Sequence, residues 1–134
     1  MATTVADRST QNGNDGNRAA AAETELWRLS AANLARLVRT RKVSAREAAQ
    51  AALQRLDAVN PQINAIVAHT PELVLEQADR LDQRLARGED PGPLTGVPVS
   101  VKINTDMAGF PTTNGTRLQK DWIAKVNKIG RAHV

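Results

Sequence analysis

GPLTGVPVSVKINTD, residues 92–106, is the most strand-like stretch of the chain, and the rest of the reading turns on it. From Val97 to Ile103 the side chains alternate. Val97, Val99, Val101 and Ile103 share one face by the period of two, and Pro98, Ser100 and Lys102 share the other. A β-strand is expected here, with Pro98 at its start or at a sheet edge, because proline cannot donate to a ladder. Lys102 ends this otherwise apolar run, just before a turn-rich loop, Gly109-Phe110-Pro111-Thr112-Thr113-Asn114-Gly115-Thr116. Position alone leaves two readings. A lysine at a strand end can reach solvent along its aliphatic stem. A buried lysine is disfavoured in its charged form, and the neutral amine is a usable general base.

Upstream, the periodicity becomes that of helices. Ser30 is placed as an N-cap, with Leu34, Leu37 and Val38 on one face, and this helix should end near Arg41 with cations in its last turn. Ser44-Ala45-Arg46-Glu47 has the form of a capping box. Behind it Ala48, Ala52, Leu56 and Val59 form a stripe of mostly small side chains, and Asn60-Pro61 is expected to stop the helix. Ile63 to Ala68 reads as a short strand around Ile66 and Val67. Thr70-Pro71-Glu72 opens a third helix, with Val74, Ala78, Leu81 and Leu85 as its buried stripe. Gly88 is placed to end it in the left-handed conformation. Asp90 to Pro93 is a loop, and no internal repeat is visible.

Composition bounds the rest. With 134 residues the chain allows one small domain. Met1 to Ala22 holds almost no large apolar side chain, so a disordered tail is expected over 1–22. The chain is 41% apolar but has only three aromatics, Trp27, Phe110 and Trp122, which suits a finely packed helical core. The absence of cysteine excludes disulfides and thiolate metal sites. No run resembles a signal peptide, and none approaches the ~20 apolar residues of a membrane span. A soluble, cytoplasmic protein is expected. The net charge of +4 raises the question of an acidic partner. However, the densest basic stretch (Arg36, Arg39, Arg41, Lys42 and Arg46) has no aromatic interleaved for base stacking, so a solvated helix surface is expected instead.

The last residues read differently. Ile129-Gly130-Arg131-Ala132-His133-Val134 is what a common short-read sequencing adapter encodes in one frame, ATC GGA AGA GCA CAC GTC before a TGA stop, and a preceding AAG gives Lys128. Residues 128–134 are therefore expected to be foreign, with the natural sequence lost after Asn127. Without Lys128 and Arg131, 16 basic residues face 14 acidic ones. His133 then leaves the candidate ligands, and His69 stands alone, where a metal needs several converging ligands.

Neither of the familiar phosphate-binding glycine patterns occurs. A serine nucleophile needs a sharp, glycine-flanked turn that exposes its hydroxyl and aims amides at the oxyanion. The four serines, Ser9, Ser30, Ser44 and Ser100, have no glycine neighbours. Ser30 and Ser44 are accounted for as caps, and Ser100 shares the face of Lys102.

The segment Gly92 to Asp106 resembles the amidase-signature pattern G-P-L-x-G-V-P-x-x-V-K-D-N-x-D, and Ala108 to Gly115 is similar to its A-G-x-x-T-T-x-G. The helices from Leu26 to Arg87 resemble that family's N-terminal arm, so the likeness covers about residues 24 to 127 (domain 23–127). Two positions depart from the pattern: Ile103 stands where Asp is usual, and Asn114 where Ala is commoner. The resemblance implies an α/β fold, of which this chain holds N-terminal helices plus the first strands of a mixed sheet. It implies an amide hydrolase, acting on carbon–nitrogen bonds other than peptide bonds, with no cofactor and no metal. Its partner would be a small-molecule amide substrate, with neither nucleic acid nor membrane, and a homo-oligomer is left open for the full-length enzyme. It implies a Ser–cis-Ser–Lys triad in which the lysine, matched by Lys102, takes a proton from a serine on a cis peptide bond, which relays it from the nucleophilic serine. Both serines belong to a Gly-Ser-rich region farther along than these residues reach, so this chain alone should be inactive. Two other readings stand beside it. One is the catalytic subunit of a glutamyl-tRNA(Gln) amidotransferase, which shares the pattern and would need partner subunits, tRNA and ATP. The other is a non-enzymatic helical binding module.

Overall fold

The computed structural model describes residues 25–128. The expected tail over 1–22, and residues 129–134 of the stretch expected to be foreign, lie outside the described residues. The described residues divide into two compact units, 25–65 with 69–98, and 66–68 with 99–128.

The first unit is helical. A 3-10 turn, Leu26–Arg28, precedes α1 (Ala31–Arg39), α2 (Ala45–Ile63) and α3 (Pro71–Ala86). The expected caps are in place. Ser30 accepts from the Asn33 amide at 3.3 Å. The Ser44 hydroxyl accepts from the Glu47 amide, and the Glu47 carboxylate accepts from the Ser44 amide at 2.6 Å, a complete capping box. α1 and α3 both end with the two backbone bonds of a Schellman turn. Arg41 and Lys42 donate to Val38 and Leu37, and Gly88 and Glu89 donate to Leu85 and Arg84. The left-handed residue is Gly88 (φ +83°) in one case and Arg41 (φ 56°) in the other. Arg41 then donates from its guanidinium to the Leu85 carbonyl, so the strained residue also caps α3.

α2 differs from expectation by running three residues past Asn60 to Ile63, with Pro61 inside it. A proline in the last turn has a helical φ and forfeits only one amide bond, to Asp57. Asn64, at φ 47°, ends the helix by donating to the Asn60 carbonyl at 2.7 Å.

α2 and α3 pack together, and the Leu26 turn packs on α2. Leu34, Val38, Ala48, Ala78 and Leu85 are buried as their spacing predicts, and Val74 and Leu81 lie against them. Ala45, Ala49 and Ala51 are buried as well, so α2 buries more of its circumference than one stripe. Trp27 is covered by two guanidiniums, Arg55 at 4.3 Å and Arg28 at 4.9 Å from the ring centroid.

A contact unpredicted from sequence locks α2 to α3. Asp82 accepts from the Ala45 amide at 2.7 Å and the Arg46 amide at 3.1 Å, while Arg46 pairs with Asp79 at 2.5 Å. Together with the capping box, Asp82 satisfies the unpaired amides of the first turn of α2. Asp82→Ala is expected to destabilise the helical unit by about 2 kcal/mol, since these hydrogen bonds are charge-assisted and half-buried. Ser44→Ala should cost about 1 kcal/mol. Urea midpoints followed by helical circular dichroism check both values and their order.

The expected strands at 63–68 and 97–103 are not found. Among the described residues there is no strand, and the single antiparallel bridge joins Pro111 to Ile123. An alternating run becomes a strand only when a neighbour takes its amides and carbonyls and something covers its apolar face. Along 97–103 the cover is incomplete: Val99 is 77% exposed and Val101 38%. The described residues are thus mostly helical, and the mixed sheet of the α/β expectation is not seen among them.

Candidate functional site

The glycine-rich start of the 92–106 segment is anchored on the helical unit. Asp90 pairs with Arg39 at 2.8 Å and accepts from the Gly92 amide at 3.1 Å. Thr95 is buried, and its hydroxyl donates to the Gly92 carbonyl at 2.5 Å. Gly96 has φ +75° and lies directly on Val38, which is wholly buried; a Cβ there would sit 2.6 Å from Val38 Cγ1. This close approach fixes where the chain leaves the turn toward Val97 and Pro98. At the adjoining C-terminus of α3, hydrogen bonds from Arg84 and then Arg87 hold the exposed Glu89 carboxyl below the ordinary glutamate range.

Lys102 lies in the second unit. Its carbonyl accepts from the Thr105 amide at 2.9 Å, which closes a turn over 102–105. Its side chain is exposed and has no hydrogen bond or ion pair among the described residues. Lys102 is therefore not buried among the described residues. Ser100 is exposed as well. Two clefts of the helical unit, of about 450 and 240 Å³, are lined without Lys102. Among the described residues, no group of three or more metal-binding side chains converges.

The loop after Lys102 is ordered by pairing with residues 122–128. Thr112 donates to the Trp122 carbonyl, Ala124 to Phe110 and Gly109 to Ala124, at 2.9 to 3.0 Å. Ala108 donates to the Asn127 side chain at 2.7 Å. Lys128 closes the pairing, with its amide on the Asp106 carbonyl at 2.8 Å and its ammonium on the Asp106 carboxylate at 2.9 Å. Asn114 has φ 50° and donates to the Gln119 side chain at 2.7 Å. The left-handed region tolerates Asn better than Ala, which gives that departure from the resembled pattern a local reason.

Thr112 is buried, and its hydroxyl has no hydrogen-bond partner among the described residues. Nothing in the spacing of Thr112 and Thr113 signals which of the two turns inward. An unpaired buried hydroxyl costs stability that an isosteric methyl does not. Thr112→Val is expected to slow hydrogen exchange at the Ala124 amide roughly fivefold, equivalent to about 1 kcal/mol of local stabilisation.

The basic stretch is largely engaged within the fold. Arg39 holds Asp90, Arg46 holds Asp79, and Arg41 caps α3. Among the described residues, no helix is long and apolar enough to cross a membrane.

Residues 47–129, which include every anchor of the Gly96 turn except Arg39 and Val38 as well as the Lys102 loop, match the model of the Amidase family. The chain is 43% identical over 99 residues to a glutamyl-tRNA(Gln) amidotransferase subunit of Carboxydothermus hydrogenoformans, covering 74% of this chain and 20% of that protein. It is 39% identical over 99 residues to an indoleacetamide hydrolase of Bradyrhizobium diazoefficiens, covering 74% and 19%. It is 43% identical over 107 residues to an acylamidase of Rhodococcus erythropolis, covering 80% and 22%. The chain thus spans about a fifth of the length of the curated relatives it matches. With residues 47–129, more than half of the chain, matching its model, the chain belongs to the amidase family.

Proposed function

We propose that these residues are the N-terminal portion of an amide hydrolase acting on carbon–nitrogen bonds other than peptide bonds, and that Lys102 is its general base. The observation that carries this reading is the family match over residues 47–129, which contains the lysine segment. In the intact polypeptide the Lys102 amine takes a proton from a serine held by a cis peptide bond, and that serine takes one from the nucleophilic serine. The nucleophile attacks the amide carbon, the amine or ammonia leaves, and water releases the acyl group. Neither serine is among these residues, so this chain alone turns over no amide. The exposure of Lys102 agrees with this division, because the groups that would surround it belong to the rest of the enzyme. Residues 97–103 are the strand that enters a mixed sheet there. The substrate is a small-molecule amide and no cofactor is needed. With no aromatic among the basic residues and most of them engaged within the fold, no nucleic acid is bound, and the protein works in the cytoplasm.

A second reading is favoured by the relatives named as glutamyl-tRNA(Gln) amidotransferase subunits. It makes the intact protein the amide-cleaving subunit of an assembly that uses glutamine. Ile103 after Lys102, where Asp is usual, leans toward the stand-alone hydrolase. Ammonia release by the intact gene product separates the two. Release from simple aliphatic or aryl amides supports the hydrolase, whereas release from glutamine alone supports the amidotransferase. No release from either, by a folded protein, refutes both.

A further inference from the structure

The turn from Thr113 to Thr116 carries a chemistry that the proposed function does not use. It closes with the Thr116 amide donating to the Thr113 carbonyl at 2.9 Å. Both central residues are left-handed, Asn114 at φ 50° and Gly115 at φ 69°, the pair of conformations that a type I′ turn needs and that Asn-Gly fills best. Asn114, Gly115 and Thr116 are all exposed. Two further contacts hold the turn, and both are exposed. Asn114 Nδ2 donates to Gln119 Oε1 at 2.7 Å, and the Gly115 amide donates to the Thr113 hydroxyl at 3.3 Å. Such bonds shield little, because water replaces them when the turn opens. The pairing of 106–112 with 122–128 lies outside the turn, so 113–116 can open without breaking it. A glycine after asparagine also leaves the backbone nitrogen uncrowded, because no Cβ keeps it from the side-chain carboxamide. Attack there closes a five-membered ring, the route that makes asparagine a thermolabile residue.

We infer that Asn114 is a site of spontaneous deamidation in the folded chain, with water as the only co-reactant. The Gly115 amide nitrogen gives up its proton and bonds to the side-chain carbonyl carbon of Asn114. The carbon–nitrogen bond of the carboxamide breaks, and its NH2 leaves with that proton as ammonia. The imide ring then takes up water, with hydroxyl on carbon and hydrogen on nitrogen. Opening at the side-chain carbonyl leaves aspartate at 114, and opening at the main-chain carbonyl leaves isoaspartate. Either product adds a negative charge and lacks the donor that Gln119 Oε1 accepts from, and isoaspartate also lengthens the backbone of the turn by a methylene. Ala is commoner than Asn at this position of the resembled pattern, so the reaction is a property of this chain and does not depend on the amidase reading. To test it, the full chain is held at mildly alkaline pH, folded and in parallel in concentrated urea. The peptide carrying residue 114 is followed by mass spectrometry, with fragmentation that separates aspartate from isoaspartate. Conversion in the folded chain within about tenfold of the urea rate, with isoaspartate among the products, supports the inference. Slower conversion overturns it, because the turn then shields the carboxamide, and aspartate alone overturns it, because direct hydrolysis bypasses the ring. Gly115→Ala should lower the rate at 114 by about tenfold or more in urea, where folding plays no part. An unchanged rate there also overturns the inference, since the Gly115 nitrogen is then not the attacking group.

Discussion

Gly96→Ala is expected to destabilise the helical unit by about 2–4 kcal/mol, from two separable causes. The first is backbone conformation. Gly96 has φ +75°, a region where a Cβ crowds the carbonyl and costs an alanine about 1 kcal/mol. The second is volume. The added methyl would lie 2.6, 3.0 and 3.1 Å from the Cγ1, Cγ2 and Cβ atoms of Val38, which has no free surface to retreat toward. Overpacking of this kind costs about 1–3 kcal/mol. Val38→Ala separates the two causes. Alone it is destabilising, because it opens a cavity at the centre of the helical unit. Combined with Gly96→Ala it should cost less than the sum by about 1–2 kcal/mol, leaving mainly the conformational cost. Urea midpoints of the four proteins give the coupling directly, and strict additivity would mean that the methyl never meets Val38. Gly92, at φ +114° but with open space around its missing Cβ, should show only the conformational part.

Lys102→Ala is expected to abolish activity in the intact protein while leaving the stability of this chain unchanged. The lysine side chain is exposed and makes no hydrogen bond or ion pair among the described residues, so its loss should change the unfolding free energy, read from urea titration, by less than about 0.5 kcal/mol. A positioned base, by contrast, is worth roughly a thousandfold in turnover. The two readouts diverge only if the amine acts on groups supplied by the rest of the enzyme. Were Lys102 a structural residue, stability and activity would fall together. Arginine discriminates further. It keeps the positive charge but does not release its proton at any working pH, so it can replace a cation and not a base.

The helices are legible in the sequence because their determinants are local. Ser30, the Ser44–Glu47 box, Pro71 and Gly88 each act within one turn, and the stripes through Leu34 and Val38 and through Ala78 and Leu85 need only the helical period. Pro61 misleads because its cost depends on how much helix follows it. The strand expected over Val97 to Ile103 is not formed among the described residues for a different reason: alternation states what the side chains need but not whether a neighbour is present to supply it. Asp82 on the first turn of α2 and Gly96 on Val38 are contacts between distant parts of the sequence, and no short pattern announces them. At the candidate site, the residue types around Lys102 are visible at once, whereas the exposure of Lys102 and the burial of Thr112 are not. Exposure depends on what surrounds the loop, and the residue types within it do not state that.

The most direct measurement is the kcat of the intact gene product on a small amide, compared between the natural protein and Lys102→Arg. If Lys102 is the base, the arginine variant is as inactive as Lys102→Ala, with an unaltered melting temperature. If the arginine variant keeps activity within about tenfold of the natural protein, the amine at position 102 does not move the proton.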